Sequence, residues 1–252
     1  MLRINPFTNE GIANFEQFKI YPFLVQGSIQ TIKSKIENDI IQIKNELFYC
    51  ERILLIGSRG VGKTSALFFI KDMLDKGGIS NFVVSHLPTS NDHLKLMVGK
   101  YLNELSESPF YLLIDFPDSL DQDNFKKFLI FLWEIITNKN YNKINLIFAL
   151  NHNHYDRSFN HSEILGKFMT LRIEPFDIEN TKKLIKSRLD TINLKIEEFI
   201  EERVIDSIYS HTNGLPRNII SASNLLFSNF NERVITESQA SALIREKYFD
   251  QV

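Results

Sequence analysis

One segment, Gly57-Ser58-Arg59-Gly60-Val61-Gly62-Lys63-Thr64, has the residue types and spacing of a phosphate-binding loop. It matches G-x-x-x-x-G-K-[ST], follows an apolar run and opens a helical pattern. In that context backbone N–H groups and the positive helix end surround phosphates, Lys63 reaches the β- and γ-phosphates, and the Thr64 hydroxyl ligates Mg²⁺. The pattern predicts ATP binding with magnesium; the alternative is a glycine-rich turn with an incidental lysine. The predicted cofactor-binding residues here are Gly57, Ser58, Arg59, Gly60, Val61, Gly62, Lys63, Thr64 and Ser65.

A carboxylate is needed to hold the metal together with Thr64. Asp115 directly follows the apolar run Phe110–Ile114, which is where such a carboxylate is expected. The alternative is an aspartate that caps a turn at the end of a strand. We therefore predict Thr64 and Asp115 as the metal-binding residues.

The residue after Asp115 bears on hydrolysis. A glutamate at this place would polarise the attacking water, but Phe116 can neither accept a proton nor orient water. Asp118 would substitute only if its loop turns the side chain inward. The sequence predicts nucleotide binding and leaves hydrolysis open.

Two further polar residues are candidates for the site. Asn151 ends an apolar run, where its side chain would reach the γ-phosphate or the attacking water; its alternative is a capping role. Pro216 and Arg217 open a later helical pattern. Proline suits a first helical position and needs no functional reason, whereas Arg217 could fold onto the phosphates.

Apolar runs alternate with helical patterns along the first two thirds of the chain. Strands that are apolar throughout and separated by helices indicate a parallel sheet covered on both faces. The predicted strands are Ile53–Ile56, Phe82–Ser85, Phe110–Ile114, Asn145–Leu150 and Thr170–Ile173. The predicted helices among them are 28–47, 64–74, 91–105 and 125–137. After Pro175 only helices are predicted, at 177–190, 197–210, 216–230 and 236–248. We expect an α/β domain over 1–175 and a small helical domain over 176–252.

The composition excludes several classes of protein. With 29 Lys and Arg against 31 Asp and Glu the net charge is −2, which excludes a strongly basic nucleic-acid coat but not a local basic face. Cys50 is the single cysteine, so no intramolecular disulfide forms. No apolar run approaches the ~20 residues of a membrane span. We expect a soluble cytoplasmic protein, or a nuclear one in a eukaryote.

In the order of these motifs the sequence resembles the AAA+ ATPases. The resemblance spans residues from about 20 to 250. It is strongest with the branch of origin-recognition initiators and single-domain transposition and secretion ATPases. The motifs that carry it are a box-II-like segment at 21–27, Walker A at 57–64, Walker B at 111–115, sensor 1 at Asn151, the junction at 173–176, sensor 2 at 214–217 and the Val234-Ile235-Thr236 turn.

This resemblance implies further roles. Residues 21–25, with Phe23 and Leu24, would pack around the adenine, and Arg217 would contact the γ-phosphate from the helical domain, so that nucleotide sets the relative angle of the domains. A neighbouring subunit would supply an arginine finger, for which Lys167 and Arg157 are the candidates. Lys167 lacks the bidentate fork of arginine. Together with Phe116, it suggests slow or absent hydrolysis.

Other signals point to structure rather than chemistry. His152, His154 and His161 lie in an expected polar loop, and no cysteine or acidic partner completes a zinc set. The basic residues at 182–188 fit a solvated helix face, with nucleic acid or an acidic partner as the alternative.

Three functional hypotheses remain open. The first is an ATP-dependent switch that controls self-assembly or a partner complex, with DNA as one candidate partner. No DNA-reading module is expected after the helical domain, so any DNA contact would come from the ATPase body. The second is a non-hydrolysing scaffold subunit without a DNA role. The third is an active remodelling motor.

Overall fold

A computed structural model describes most of the chain. The described residues are 5–7, 28–44, 52–84, 99, 109–116, 122–138, 143–159, 163–229 and 234–249. Several predictions fall outside them: the box-II-like segment with Phe23 and Leu24, Cys50, Asp118, His161 and most of the predicted helix 91–105.

Five parallel strands form the sheet, as predicted. They are β1 (Arg52–Gly57), β2 (Asn81–Val84), β3 (Phe110–Asp115), β4 (Ile144–Asn151) and β5 (Met169–Arg172). Their order across the sheet is β2-β3-β4-β1-β5, and every neighbouring pair is parallel. All eight residues of β4 are buried, as expected for a strand covered on both faces.

Helices cover both faces of the sheet. They are α1 (Ser28–Lys44), α2 (Lys63–Gly77), α3 (Gln122–Thr137) and α4 (His152–Phe159). On one face, side chains that alternate along β1, β3 and β4 pack with Phe125 and Phe128 of α3 in one buried cluster. On the opposite face the Tyr111 hydroxyl donates to Asp39 Oδ2 of α1 at 2.7 Å. The predicted sandwich of helix, sheet and helix is confirmed.

The C-terminal part is helical, with α5 (Ile178–Asp190), α6 (Glu202–Thr212), α7 (Pro216–Asn229) and α8 (Glu237–Phe249). Helix α6 begins at Glu202 rather than at the predicted residue 197. The reason is a parallel bridge between Ile200 and Ile235, in which the Ile235 N–H donates to the Phe199 carbonyl at 2.9 Å. Before the bridge, Ile196–Glu198 form a 3₁₀ turn, and Glu201, directly before α6, is extended.

Contacts between Cα atoms group the chain into two units. The sheet unit holds the described residues of 25–59 and 63–173, and the helical unit those of 1–24, 60–62 and 174–252. The helical unit therefore includes Asn5–Phe7, although the helices of this unit come much later in the sequence. The domain boundary after residue 175 stays a prediction.

Candidate nucleotide-binding site

The carboxyl ends of three strands bring the predicted site residues to one edge of the sheet. Gly57 at the end of β1 pairs in register with Asn151 at the end of β4. Asp115 at the end of β3 pairs with Ala149 of β4. Because parallel strands end at a common edge, residues separated by up to 94 positions in sequence become neighbours there.

The phosphate loop connects β1 to α2. Gly60 and Gly62 have φ values of +85° and +105°, which L side chains rarely adopt. Lys63 is the first residue of α2 and is only 7% exposed. Its Nζ donates to the carbonyl oxygens of Gly57 at 3.1 Å and Ser58 at 2.9 Å. The positive end of a 15-residue helix and a lysine ammonium thus meet at one loop.

Thr64 and Asp115, the two predicted metal-binding residues, are in direct contact. The Thr64 hydroxyl donates to Asp115 Oδ2 at 2.6 Å, although the residues are 51 positions apart. A hydroxyl and a carboxylate provide the oxygen ligands that Mg²⁺ prefers, and Mg²⁺ characteristically takes one or two carboxylates together with substrate phosphates. The pair therefore fits a magnesium ion held beside bound phosphates.

Phe116 is a residue of the hydrophobic core. Its side chain is 2% exposed and belongs to the buried cluster beneath α3. Its ring centroid lies 5.0 Å from that of Phe125 and 5.1 Å from that of Phe128. The site residue expected to act on water is replaced by a core residue, and Asp118 lies outside the described part of the chain.

Asn151 is buried and caps the element that follows it. Its Oδ1 accepts a hydrogen bond from the Asn153 N–H at 3.1 Å, at the start of α4. The prediction of a polar loop here was wrong, because the asparagine cap starts a helix directly after the strand. His152 and His154 therefore lie on a helix, and among the described residues no group of three His, Cys, Asp or Glu could hold a metal. The capping geometry is present; a role for Asn151 at the phosphates stays a prediction.

Arg217 and Gly60 meet within the helical unit. The Arg217 N–H donates to the Gly60 carbonyl at 3.3 Å, and a Cβ placed on Gly60 would come within 3.1 Å of the Arg217 Cβ. Pro216, at the first position of α7, is buried. Arg217, the second residue of α7, is exposed. Its contact with the phosphates stays a prediction.

Gly214 in the same motif has a structural reason. Its φ is +68°, and a Cβ there would lie 2.0 Å from the Phe176 carbonyl oxygen. The Phe176 N–H in turn donates to the Gly214 carbonyl at 2.8 Å. Only glycine allows this approach of two backbones.

The arginine-finger candidates occupy different elements. Lys167 is exposed in a short 3₁₀ turn directly before β5. Arg157 belongs to α4. Both stay predictions, because a finger acts on the site of another subunit.

Comparisons with known proteins support the fold. No model of a protein family matches the chain, and no curated protein does. Solved structures do match. The Thermotoga maritima RuvB Holliday junction branch migration motor is 18% identical with a TM-score of 0.59, over 86% of this chain and 68% of that one. The Aeropyrum pernix ORC2 protein, in ADPNP-ADP complexes, is 13% identical with a TM-score of 0.58, over 85% and 66%.

A third match is the replication initiator DnaA bound to AMPPCP and single-stranded DNA, 19% identical with a TM-score of 0.59, over 84% of this chain and 65% of that one. Within the described residues no helix is both long and apolar enough to cross a membrane. The sheet order, the phosphate loop and these similarities together show that the chain has the α/β P-loop fold of the AAA+ ATPases.

Proposed function

We propose that this protein is an ATP-binding switch whose phosphate loop takes ATP together with Mg²⁺. The observation that carries the proposal is the convergence of Lys63, Thr64 and Asp115 at the carboxyl edge of the sheet, with Thr64 and Asp115 2.6 Å apart. A glycine-rich turn with an incidental lysine would not require this pairing across 51 residues.

Each residue has a distinct part in binding. Lys63 would exchange its two loop carbonyls for the β- and γ-phosphate oxygens, which are charged acceptors and form stronger hydrogen bonds. Thr64 and Asp115 would hold Mg²⁺, which neutralises phosphate charge when bound. The backbone N–H groups at the start of α2 would bind the phosphates irrespective of the base.

Slow hydrolysis follows from the position after Asp115. Phe116 is packed among Phe125 and Phe128 and offers no group that orients water. Lys167 would supply a point charge where arginine would supply a fork. Bound ATP would then persist and hold one conformation, which is the behaviour of a switch rather than of a motor.

Binding is tested with Lys63→Ala and a matched control, Lys76→Ala, near the exposed end of the same helix. Titration calorimetry with ATP and Mg²⁺ should show about a hundredfold loss of affinity for Lys63→Ala and none for the control, since hydrogen bonds to charged groups are strong. Equal affinities of wild type and Lys63→Ala would overturn the proposal.

Hydrolysis is tested separately, by phosphate release under saturating ATP. We expect the wild type to release phosphate no faster than Lys63→Ala, and Phe116→Glu to cost stability without restoring a fast rate. Steady ATP hydrolysis by the wild type that is lost in Lys63→Ala would contradict the switch and indicate an active motor instead.

The partner is the second question. We propose control of self-assembly or of a partner complex, with DNA as the candidate that two of the similar structures suggest by their names. The net charge of −2 favours the alternative, a non-hydrolysing scaffold subunit with no DNA role. A salt-dependent gel shift with and without ATP separates the two, because contacts to DNA phosphates weaken steeply with salt. No shift at low salt would exclude the DNA role.

A further inference from the structure

Three residues near the start of the chain, Asn5-Pro6-Phe7, dock on the helical unit. We call them the N-terminal clasp. The residues that receive them form the clasp groove: Arg188 of α5, Phe199, and Asn224, Phe227 and Ser228 of α7. These contacts join residues that are 182 to 223 positions apart. The clasp was not among the sequence predictions.

Asn5 is recognised by its amide. Its Nδ2 donates to Asn224 Oδ1 at 2.7 Å and to Ser228 Oγ at 2.9 Å. Its Oδ1 accepts from the Phe7 N–H at 2.9 Å, which folds the tripeptide into a turn. Both donors and the acceptor of the amide are used, so aspartate would keep the turn but lose the two donors.

Pro6 is recognised through its backbone. Its carbonyl oxygen accepts a hydrogen bond from Arg188 Nη1 at 3.0 Å. Arg188 is 5% exposed, and burial lowers its pKa to about 10, so the guanidinium is still charged at neutral pH. A buried cation gains from each acceptor it keeps, so an occupied groove is favoured over an empty one.

Phe7 fills the apolar part of the groove. Its ring is 1% exposed and stacks at a centroid distance of 5.9 Å on Phe199. It also meets Phe227 at 6.1 Å, and the two groove rings lie 5.4 Å apart. An aromatic anchor in an apolar pocket, flanked by hydrogen bonds, is the usual composition of an interaction hot spot.

We propose that the clasp groove is an interaction surface for the clasp of a second copy of this chain, exchanged for its own. Every copy carries both the tripeptide and its groove, which makes exchange an inexpensive route to assembly. Twenty residues separate Phe7 from Ser28, and such a segment can span up to about 70 Å when extended. Covalent geometry alone therefore permits the clasp to reach the groove of a second copy.

Peptide binding is the first test. A fluorescent peptide of residues 1–9 is titrated into two full-length hosts, Asn5→Asp and the double variant Asn5→Ala, Phe7→Ala, with folding checked by circular dichroism. The Asn5→Asp host keeps the Phe7 ring, and it is used alone if the double variant unfolds. We expect saturable binding to the hosts and at least about tenfold weaker binding to the wild type, whose own clasp competes at high effective concentration.

Control peptides and groove variants test the specificity of that binding. A peptide carrying Asn5→Asp should bind about tenfold more weakly, because it loses the hydrogen bonds to Asn224 and Ser228. Introducing Arg188→Met into the host should weaken binding similarly, whereas Lys186→Met, exposed on the same helix, should not. No binding to either folded host, or equal binding of the Asn5→Asp peptide, would show that the groove serves only internal packing.

Complementation between full-length chains tests the second copy. One chain carries Asn5→Asp and lacks a competent clasp, and the other carries Asn224→Ala and lacks a competent groove. Neither should associate with itself, but the mixture should form a heterodimer by light scattering and by energy transfer between labels. Peptide binding without heterodimers would overturn exchange between copies. No measurement here needs nucleotide, so the result is independent of the proposed function.

Discussion

The phosphate loop and the clasp groove both use a nearly buried cation that donates to backbone carbonyls, but they differ in how far along the chain those carbonyls lie. Lys63 bonds to carbonyls five and six residues away in its own loop. Arg188 bonds to a carbonyl 182 residues away. The first arrangement forms with the loop itself, whereas the second needs the whole helical unit to fold around the clasp.

The two cations also differ in chemistry. A lysine ammonium on a flexible stem can leave two neutral carbonyls for a charged phosphate. Arginine is planar, and Arg188 is 5% exposed, so it suits a partner of fixed geometry. On the proposals above, the loop would give up its carbonyl acceptors for a ligand, whereas the groove would accept one specific tripeptide.

The largest expected effect is that of Phe7→Ala, which should disturb the clasp groove and leave the phosphate loop unchanged. Loss of a buried phenylalanine costs about 3–5 kcal/mol. Because its ring contacts are with Phe199 and Phe227 of the helical unit, we expect a lower free energy of unfolding and an unchanged affinity for ATP. Denaturant melts and calorimetry measure the two quantities. A parallel loss of ATP affinity would show that the regions are coupled.

An intermediate effect is expected for Thr64→Val, which should lower the affinity for ATP rather than the free energy of unfolding. The variant keeps the size of the side chain and loses the hydroxyl that contacts Asp115. ATP affinity with Mg²⁺ should fall about tenfold, since the lost interaction involves a charged site. Affinity in chelator should change little, and so should the free energy of unfolding, because the Thr64–Asp115 hydrogen bond is exposed. If the loss of affinity were the same with and without Mg²⁺, Thr64 would not be a metal ligand.

The smallest difference is expected between Gly60→Ala and its control, because it reports only the contact of Gly60 with Arg217. Alanine at φ +85° is strained by about 1–2 kcal/mol, and its Cβ would also press on the Arg217 Cβ at 3.1 Å. Gly78→Ala is the matched control, because its φ is +72° but its Cβ would have no neighbour within 4 Å. Thermal melts should show a greater loss for Gly60→Ala by about 1 kcal/mol, the typical cost of overpacking. Equal losses would mean that the Arg217 contact adds nothing.

Sequence patterns were sufficient to predict the elements that depend only on residues close together in the sequence. The apolar runs located all five strands, and the helical patterns located the C-terminal helices, three of them to within one residue at each end. Two misplacements have identifiable causes. The start of α6 shifted because Ile200 pairs with Ile235, and a helix replaced the loop after Asn151 because that side chain caps it.

By itself the sequence determined the phosphate loop, the parallel sheet and the presence of Phe116 where a glutamate would act on water. Each of these depends on residues that are neighbours in sequence or on the apolar pattern of a single strand. Only the tertiary structure decided that Thr64 touches Asp115, that Phe116 is a core residue and that Asn5–Phe7 docks beside Arg188. Those contacts join residues distant in sequence, whose encounter depends on strand order and on the packing of helices rather than on any local preference.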